Sequence, residues 1–563
     1  MKQLTWVTLV AVSLAACTSG TKAVVTAPQP APAPPAPTAA AAPAPSRLPS
    51  AAAFVIRKAP RDWQLLDDSI DHYPGISLLR AQRELLAGRA PRQPVIVAVI
   101  DGGVDTAHPA LRAHLWTNGK EIPGNGKDDD GDGYVDDVHG WNFIGGSDGK
   151  DVNYDTFELT RLYARCAGAP QTVTERGMPA PDPQTCQKVS TAYAAKRSHI
   201  TGTLDRIHQI SALLSRAVPI LEQASGTDSL TAGKVAALQP ATPQVVAARG
   251  LYLQLARQGI TPAAVADAQT EYETQSNYGL NTSFDPRAIV GDNYGNVSQK
   301  HYGNADVTGP DAKHGTHVSG IIAAVPQDSG GMEGIAADAR LMVVRAIPDG
   351  DERDKDVANA IRYAVDNGAR VINMSFGKPY SPFKGTVDEA VRYADAHGVL
   401  MVLAAGNDGA SLDTAANFPT PYYTNGGKAA DWIEVGASSW RGGDTLAVSF
   451  SNYSHDRVDV FAPGEDILST VPGGGYARLS GTSMAAPVVT GLAALIMSYY
   501  PSLTAAQVKQ ILLDSATRYD RPALLPGVRT GVTVPFASLS VTGGIVNAYN
   551  ALKLAQERSV GTH

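Results

Sequence analysis

The run PVIVAVID (94–101) sets an unbroken apolar stretch, Val95 to Ile100, directly before a single carboxylate, Asp101. A strand with one wet face alternates apolar and polar residues, so a short continuous run rich in β-branched side chains predicts a strand buried on both faces, as inside a parallel sheet. Similar runs recur at LMVVRAI (341–347), VINMSF (371–376), VLMVLAA (399–405) and IEVGAS (433–438). Helical patterns lie between them, among them DVANAIRYAVDNGA and TVDEAVRYADAHG, each closing at Gly or Asn-Gly. Strand alternating with helix predicts an α/β fold, a parallel sheet with helices on both faces.

The stretch from about 155 to 280 breaks that alternation. Val189, Tyr193, Ile200, Leu204, Ile207, Ile210, Leu214, Val218 and Leu221 keep helical spacing, and Thr242-Pro243 and Thr261-Pro262 each read as an N-cap followed by a first-turn proline. This predicts an α-helical insertion of two to four helices within a core spanning 92–556, and no internal repeat is evident. Ahead of the core, ISLLRAQRELLAG (76–88) has helical spacing, so 54–91 is expected to pack on the core; it is short for a folding propeptide. Residues 1–16 have the form of a secretion signal, and Leu14-Ala15-Ala16-Cys17 resembles the bacterial lipobox, in which Cys17 would carry lipid. Thr18 is not the aspartate associated with inner-membrane retention, so the expected location is the outer membrane of a Gram-negative bacterium, facing periplasm or surface. The Ala/Pro-rich tether at 17–53 favours extended chain; its proline-rich part, at about 3.1 Å per residue, could reach roughly 80 Å. With Cys17 lipidated, Cys166 and Cys186 remain as an even pair. They form either a disulfide, worth roughly 3 kcal/mol for a loop of about 20 residues, or two unrelated thiols. The formal charge of −7, from 47 basic and 54 acidic residues, provides no basic stripe and excludes a nucleic-acid partner.

Asp101 ends its strand at the carboxyl edge of the sheet, where α/β folds bind ligands, although a carboxylate there also caps turns. His314 opens an apolar helix in KHGTHVSGIIAA; the His-x-x-His pair alone suggests metal, but further zinc ligands are not evident nearby. Ser483, in LSGTSMAAPVVTG, sits where a loop gives way to a helix, a position serine also favours as an N-cap. Together the three supply a nucleophile, a base to take its proton, and a carboxylate to fix the base's tautomer. The blocks AVIDGGVDTAHPAL, HGTHVSG and SGTSMAAPVVTG, in that order, resemble the active-site blocks of the subtilisin-like serine peptidases. The resemblance covers about 92–145 and 285–556. It implies a subtilisin-like fold and a secreted serine endopeptidase acting through an acyl-enzyme, with Asp101 as orienting acid, His314 as general base, Ser483 as nucleophile and His317 structural. Asn407, in VLAAGN, takes the oxyanion-hole position. The segment NMSFG implies that Met374, Ser375, Phe376 and Gly377 pair with an extended polypeptide substrate, with Leu403, Ala404 and Ala405 as further contacts. The alternative is a catalytically silent binding or chaperone-like lipoprotein of the same fold. An α/β-hydrolase esterase is disfavoured, because Ser483 lies outside a Gly-x-Ser-x-Gly elbow.

NGKDDDGDGYVDDVHGWNF (125–143) crowds its aspartates so closely that they must be solvated or gathered around a cation. Asp128, Asp130, Asp132 and Gly133 match positions 1, 3, 5 and 6 of a calcium loop, with the Tyr134 carbonyl and Asp136 following. His139 at position 12 excludes a full EF-hand. Structural Ca2+ is the expected cofactor, a bare acidic loop the alternative. A second acidic stretch, Asp292 to Asp306 with Asn296 and Asn304, matches no ligand template.

Overall fold

The computed structural model describes residues 59–168, 181–239, 241–326, 331–528 and 531–560. The expected signal, Cys17 and the tether lie outside them. Nine strands form one sheet: β1 (Ile96–Asp101), β2 (Gly140–Asn142), β3 (Arg340–Arg345), β4 (Val371–Met374), β5 (Leu400–Ala404), β6 (Trp432–Ser438), β7 (Val460–Pro463), β10 (Thr517–Arg518) and β13 (Gly544–Ile545). Two antiparallel hairpins, β8 (Ile467–Val471) with β9 (Gly475–Leu479) and β11 (Pro522–Leu524) with β12 (Thr533–Pro535), complete the strands. The sheet order is β10-β13-β7-β6-β5-β4-β1-β3-β2, and every pairing is parallel except β10 with β13.

The continuous apolar runs are explained by which core each side chain joins. Val97 and Val99 of β1 enter one core with the helices Lys313–Ala323 and Thr482–Tyr499. Ala98 and Ile100 enter a second core, on the other face, with Asp354–Asp366 and Lys384–Ala396. The sheet is thus covered on both sides, as a parallel sheet requires. Helix Thr482–Tyr499 is long and apolar enough to cross a bilayer by composition alone, yet all its residues are buried as the central helix of the first core. The N-terminal segment belongs to that core as well: Trp63, Ile76 and Leu78 are fully buried, and Trp63 Nε1 donates to the Glu465 carbonyl at 3.0 Å.

The described residues group into two compact units, Ile207–Asp267 and the flanking chain up to Arg206 and from Ala268. The insertion contains five described α-helices, Glu158–Cys166, Pro183–Ser225, Ala232–Ala237, Pro243–Arg257 and Pro262–Thr274, more than the two to four expected. The Thr242 and Thr261 hydroxyls accept from Val245 N and Ala264 N, so both Thr-Pro pairs start helices. Cys166 and Cys186 are joined, with Cα atoms 5.4 Å apart, linking the first two helices.

Candidate active site

Parallel strands deliver their last residues to one edge of the sheet, and Asp101 ends β1 there, 3% exposed. His314 is the second residue of its helix. A side chain at the next position, Gly315, would strike the Gly103 carbonyl at 2.2 Å and lie 3.1 Å from Asp101 Oδ1. Only glycine lets this helix end press onto the turn after β1. The result is that His314 Nδ1 stands 2.9 and 3.0 Å from the two Asp101 oxygens. A carboxylate only accepts, so Nδ1 carries the proton and Nε2 is left as the basic nitrogen.

Ser483 is the second residue of its helix rather than the N-cap; Gly481 holds that position in extended backbone and has no side chain to offer. The Ser483 hydroxyl donates to the Ser375 carbonyl at 3.0 Å, and the Ser375 hydroxyl returns a bond to the Ser483 carbonyl at 2.9 Å. These bonds tie the helix to the end of β4. Among the described residues Ser483 Oγ makes no hydrogen bond to His314. Asn407 follows β5; its Oδ1 accepts from Thr482 N at 2.8 Å and Thr482 Oγ1 at 3.0 Å. With the oxygen held, Nδ2 is left unengaged among the described residues. A methyl group at Gly481 would lie 3.6 Å from both Asn407 Nδ2 and Ser483 N, so the two donors border one space.

Met374 and Leu403 are fully buried and Ala404 nearly so, as the ends of β4 and β5 require, and Ala405 just beyond β5 is fully buried too. Phe376 and Gly377 lie beyond β4, and their backbone groups have no partner among the described hydrogen bonds. This leaves an open edge for another extended chain. His317 is fully buried, with Nε2 at 3.1 Å from the carbonyls of Ile467 and Ala477; burial pushes its pKa down to about 3 and keeps it neutral.

In the acidic loop, ligand oxygens of Glu121, Asp128 and Asp130 lie within 4.8 Å of one another. Glu121 was not identified in the sequence; the only signal is an acid a few residues upstream of the loop. Its Oε1 accepts from Asp129 N and Asp130 N, drawing it against the loop. Asp136 faces elsewhere, its two oxygens accepting from the amides of Gly124, Asn125 and Gly126. The Tyr134 ring packs among Trp141, Phe143 and Tyr363. Asp132 stands outside the three-residue group; burial pushes its carboxyl up, reinforced by nearby Asp130, Asp128 and Glu121. Asp292 is not a free ligand: it is buried and paired with Arg287 at 2.6 Å and Lys355 at 2.5 Å.

The family model described as the subtilase family matches residues 92–531. Over 186 residues the chain is 46% identical to a thermophilic serine proteinase of Bacillus sp. (strain AK1), covering 33% of this chain and 42% of that protein. It is 40% identical over 205 residues to Subtilisin BL of Lederbergia lenta, covering 36% of this chain and 70% of that protein. It is also 40% identical over 210 residues to Subtilisin E of Bacillus subtilis (strain 168), covering 37% of this chain and 51% of that protein. The chain thus spans about half the length of several of the curated relatives it matches.

Proposed function

This chain belongs to the subtilase family, and from that premise we propose that it is an exported serine endopeptidase that hydrolyses polypeptides through an acyl-enzyme on Ser483. The observation that carries this reading is the grip of buried Asp101 on His314 Nδ1, which leaves Nε2 as the only nitrogen able to accept a proton. Rotation of the Ser483 side chain away from the Ser375 carbonyl presents its hydroxyl to that nitrogen; catalytic hydrogen bonds commonly form only once substrate is bound. Ser483 Oγ then attacks the scissile carbonyl carbon as His314 Nε2 takes its proton, and Asp101 stabilises the imidazolium. The negative charge that develops on the carbonyl oxygen is met by Asn407 Nδ2–H and the Ser483 N–H. The tetrahedral species expels the amine, which leaves with the proton from His314, and water releases the acyl group by the same steps in reverse roles. The substrate backbone would pair with the open edge at Ser375–Gly377, which the buried Met374 and Leu403–Ala405 support from inside the fold.

Glu121, Asp128 and Asp130 fit a structural Ca2+, because a hard cation takes carboxylate oxygens and would offset the mutual repulsion of three carboxylates gathered so closely. Asp132 and the Tyr134 carbonyl are the remaining candidate ligands from the loop pattern, whereas Asp136, also expected there, is held by the amides of Gly124 to Gly126. The Leu14–Cys17 motif supports anchoring of the exported protein to a membrane through lipid on Cys17. Ser483→Ala is expected to abolish both fluorophosphonate labelling and casein cleavage. Cleavage near the wild-type rate in that variant would refute the mechanism, and a wild-type protein inert to both reagents would favour a silent binding protein.

A further inference from the structure

Resting on the endopeptidase reading, we infer that Lys378 and Glu158 form a positioning pair through which the root of the helical insertion holds the substrate-pairing segment in register. Lys378 directly follows Gly377 and is 2% exposed. Its backbone is paired on both sides with Phe418, at 3.0 Å through its N–H and 2.8 Å through its carbonyl. Its ammonium group reaches three acceptors, Glu158 Oε2 at 3.0 Å, Asp354 Oδ1 at 2.8 Å and the Glu352 carbonyl at 2.7 Å. The contacts to Glu158 and the Glu352 carbonyl are hydrogen bonds and that to Asp354 is an ion pair, so the ammonium group is held by buried partners alone.

Glu158 is the first residue of the first helix of the insertion, and it is itself held from both ends. Its amide donates to Asp351 Oδ2 at 2.8 Å, and its Oε2 accepts from Arg161 Nη2 at 2.7 Å. The returning end of the insertion is fixed at the same place, where the Gly279 carbonyl accepts from Phe157 N at 2.9 Å and Thr160 Oγ1 at 2.7 Å. Asp155 completes the cluster with two bonds to Arg353, at 2.8 and 3.1 Å. The carboxylates of Asp155, Glu158 and Asp354 thus face the cations Arg161, Arg353 and Lys378, all of them buried.

Buried ion pairs seldom stabilise a fold more than apolar residues of the same volume would, so this cluster is better explained by the geometry it imposes. That geometry is uneven along the chain. Lys378 is immobilised by charge and backbone pairing, whereas the backbone groups of the preceding Phe376 and Gly377 have no partner among the described residues. The insertion holds one end of an edge whose other end meets the nucleophile through Ser375. Displacing such an edge by about 1 Å misplaces a bound peptide at the reacting carbon, a change able to slow turnover about 10²-fold. Substrates too short to use the edge do not depend on it.

The test compares an internally quenched octapeptide with an N-acetyl amino-acid p-nitrophenyl ester. Lys378→Met and Glu158→Gln are expected to lower kcat/KM for the octapeptide at least tenfold, mainly through kcat, while kcat/KM for the ester stays within about twofold, and Lys378→Arg is expected to recover most of the loss. Equal loss on both substrates, or no change on either, would overturn the assignment. If Lys378→Met lacks a cooperative thermal transition, the double variant Glu158→Gln, Lys378→Met, which removes both charges, is judged by the same criteria. Wild-type protein that turns over neither substrate would overturn the endopeptidase reading and this pair with it; wild-type activity with unaffected variants would overturn the pair alone.

Discussion

Thr482 decides which way the Asn407 amide faces. By donating to Oδ1 from both its backbone and its hydroxyl, it leaves Nδ2 as the only free end of that amide. A donor fixed before charge develops needs no reorganisation in the transition state. Asn407→Ala should therefore lower kcat by about 10²–10³, the loss typical in this family for one such donor, while KM changes by no more than a few fold. Steady-state kinetics on a peptide substrate will check this; a loss confined to KM would remove Asn407 from the oxyanion site. Glu434, on β6, behaves differently. It is 1% exposed with neither carboxylate oxygen hydrogen-bonded among the described residues, and burial lifts its pKa to about 8 against the opposing pull of Arg457. Between the ordinary carboxyl range near 4 and about 8, the folded protein keeps a proton that the unfolded chain has released, so this residue lowers stability as pH rises through that window. Glu434→Gln removes the proton linkage. Calorimetry should show the variant gaining more in Tm over wild type at pH 8 than at pH 5, and equal gains at both would contradict the sign.

At the scale of elements, what was legible in the sequence depended on length and on burial of both faces. β1, β3, β4, β5 and β6 announce themselves because both of their faces are dry. β2 and β10 were not read, being two or three residues long, and β7 was missed within the mixed sequence VDVFAPG. The acidic loop shows the same division. Its Asp-x-Asp-x-Asp-Gly spacing is visible, but the arrival of Glu121 depends on a fold-back that no local pattern encodes. If the loop holds Ca2+ as proposed, EGTA should lower the Tm of wild type by several degrees, and Asp128→Asn combined with Asp130→Asn should abolish that difference. A Tm indifferent to EGTA and to added Ca2+ would leave the loop as a solvated acidic turn.

At the scale of the whole molecule, the three positions proposed for catalysis lie far apart in the chain, and each stands in a block with its own local requirement, such as Gly315 against the Asp101 turn. The contact between Lys378 and Glu158 was not legible in the sequence, because 220 residues separate them and neither stands in a patterned block. The insertion was recognised as helical and its number of helices underestimated, since helices as short as Ala232–Ala237 span too few turns to show a period. β1 and two helices of the first core, Lys313–Ala323 and Thr482–Tyr499, carry Asp101, His314 and Ser483, and the bond between Asp101 and His314 joins the first two. The most direct test is to treat the wild-type protein and His314→Ala with a fluorophosphonate and locate the adduct by peptide mass spectrometry. The account predicts a single adduct on Ser483 in wild type, forming at least 10³-fold more slowly in the variant, as loss of a triad base implies. An adduct on another residue, or equal labelling rates in the two proteins, would contradict it.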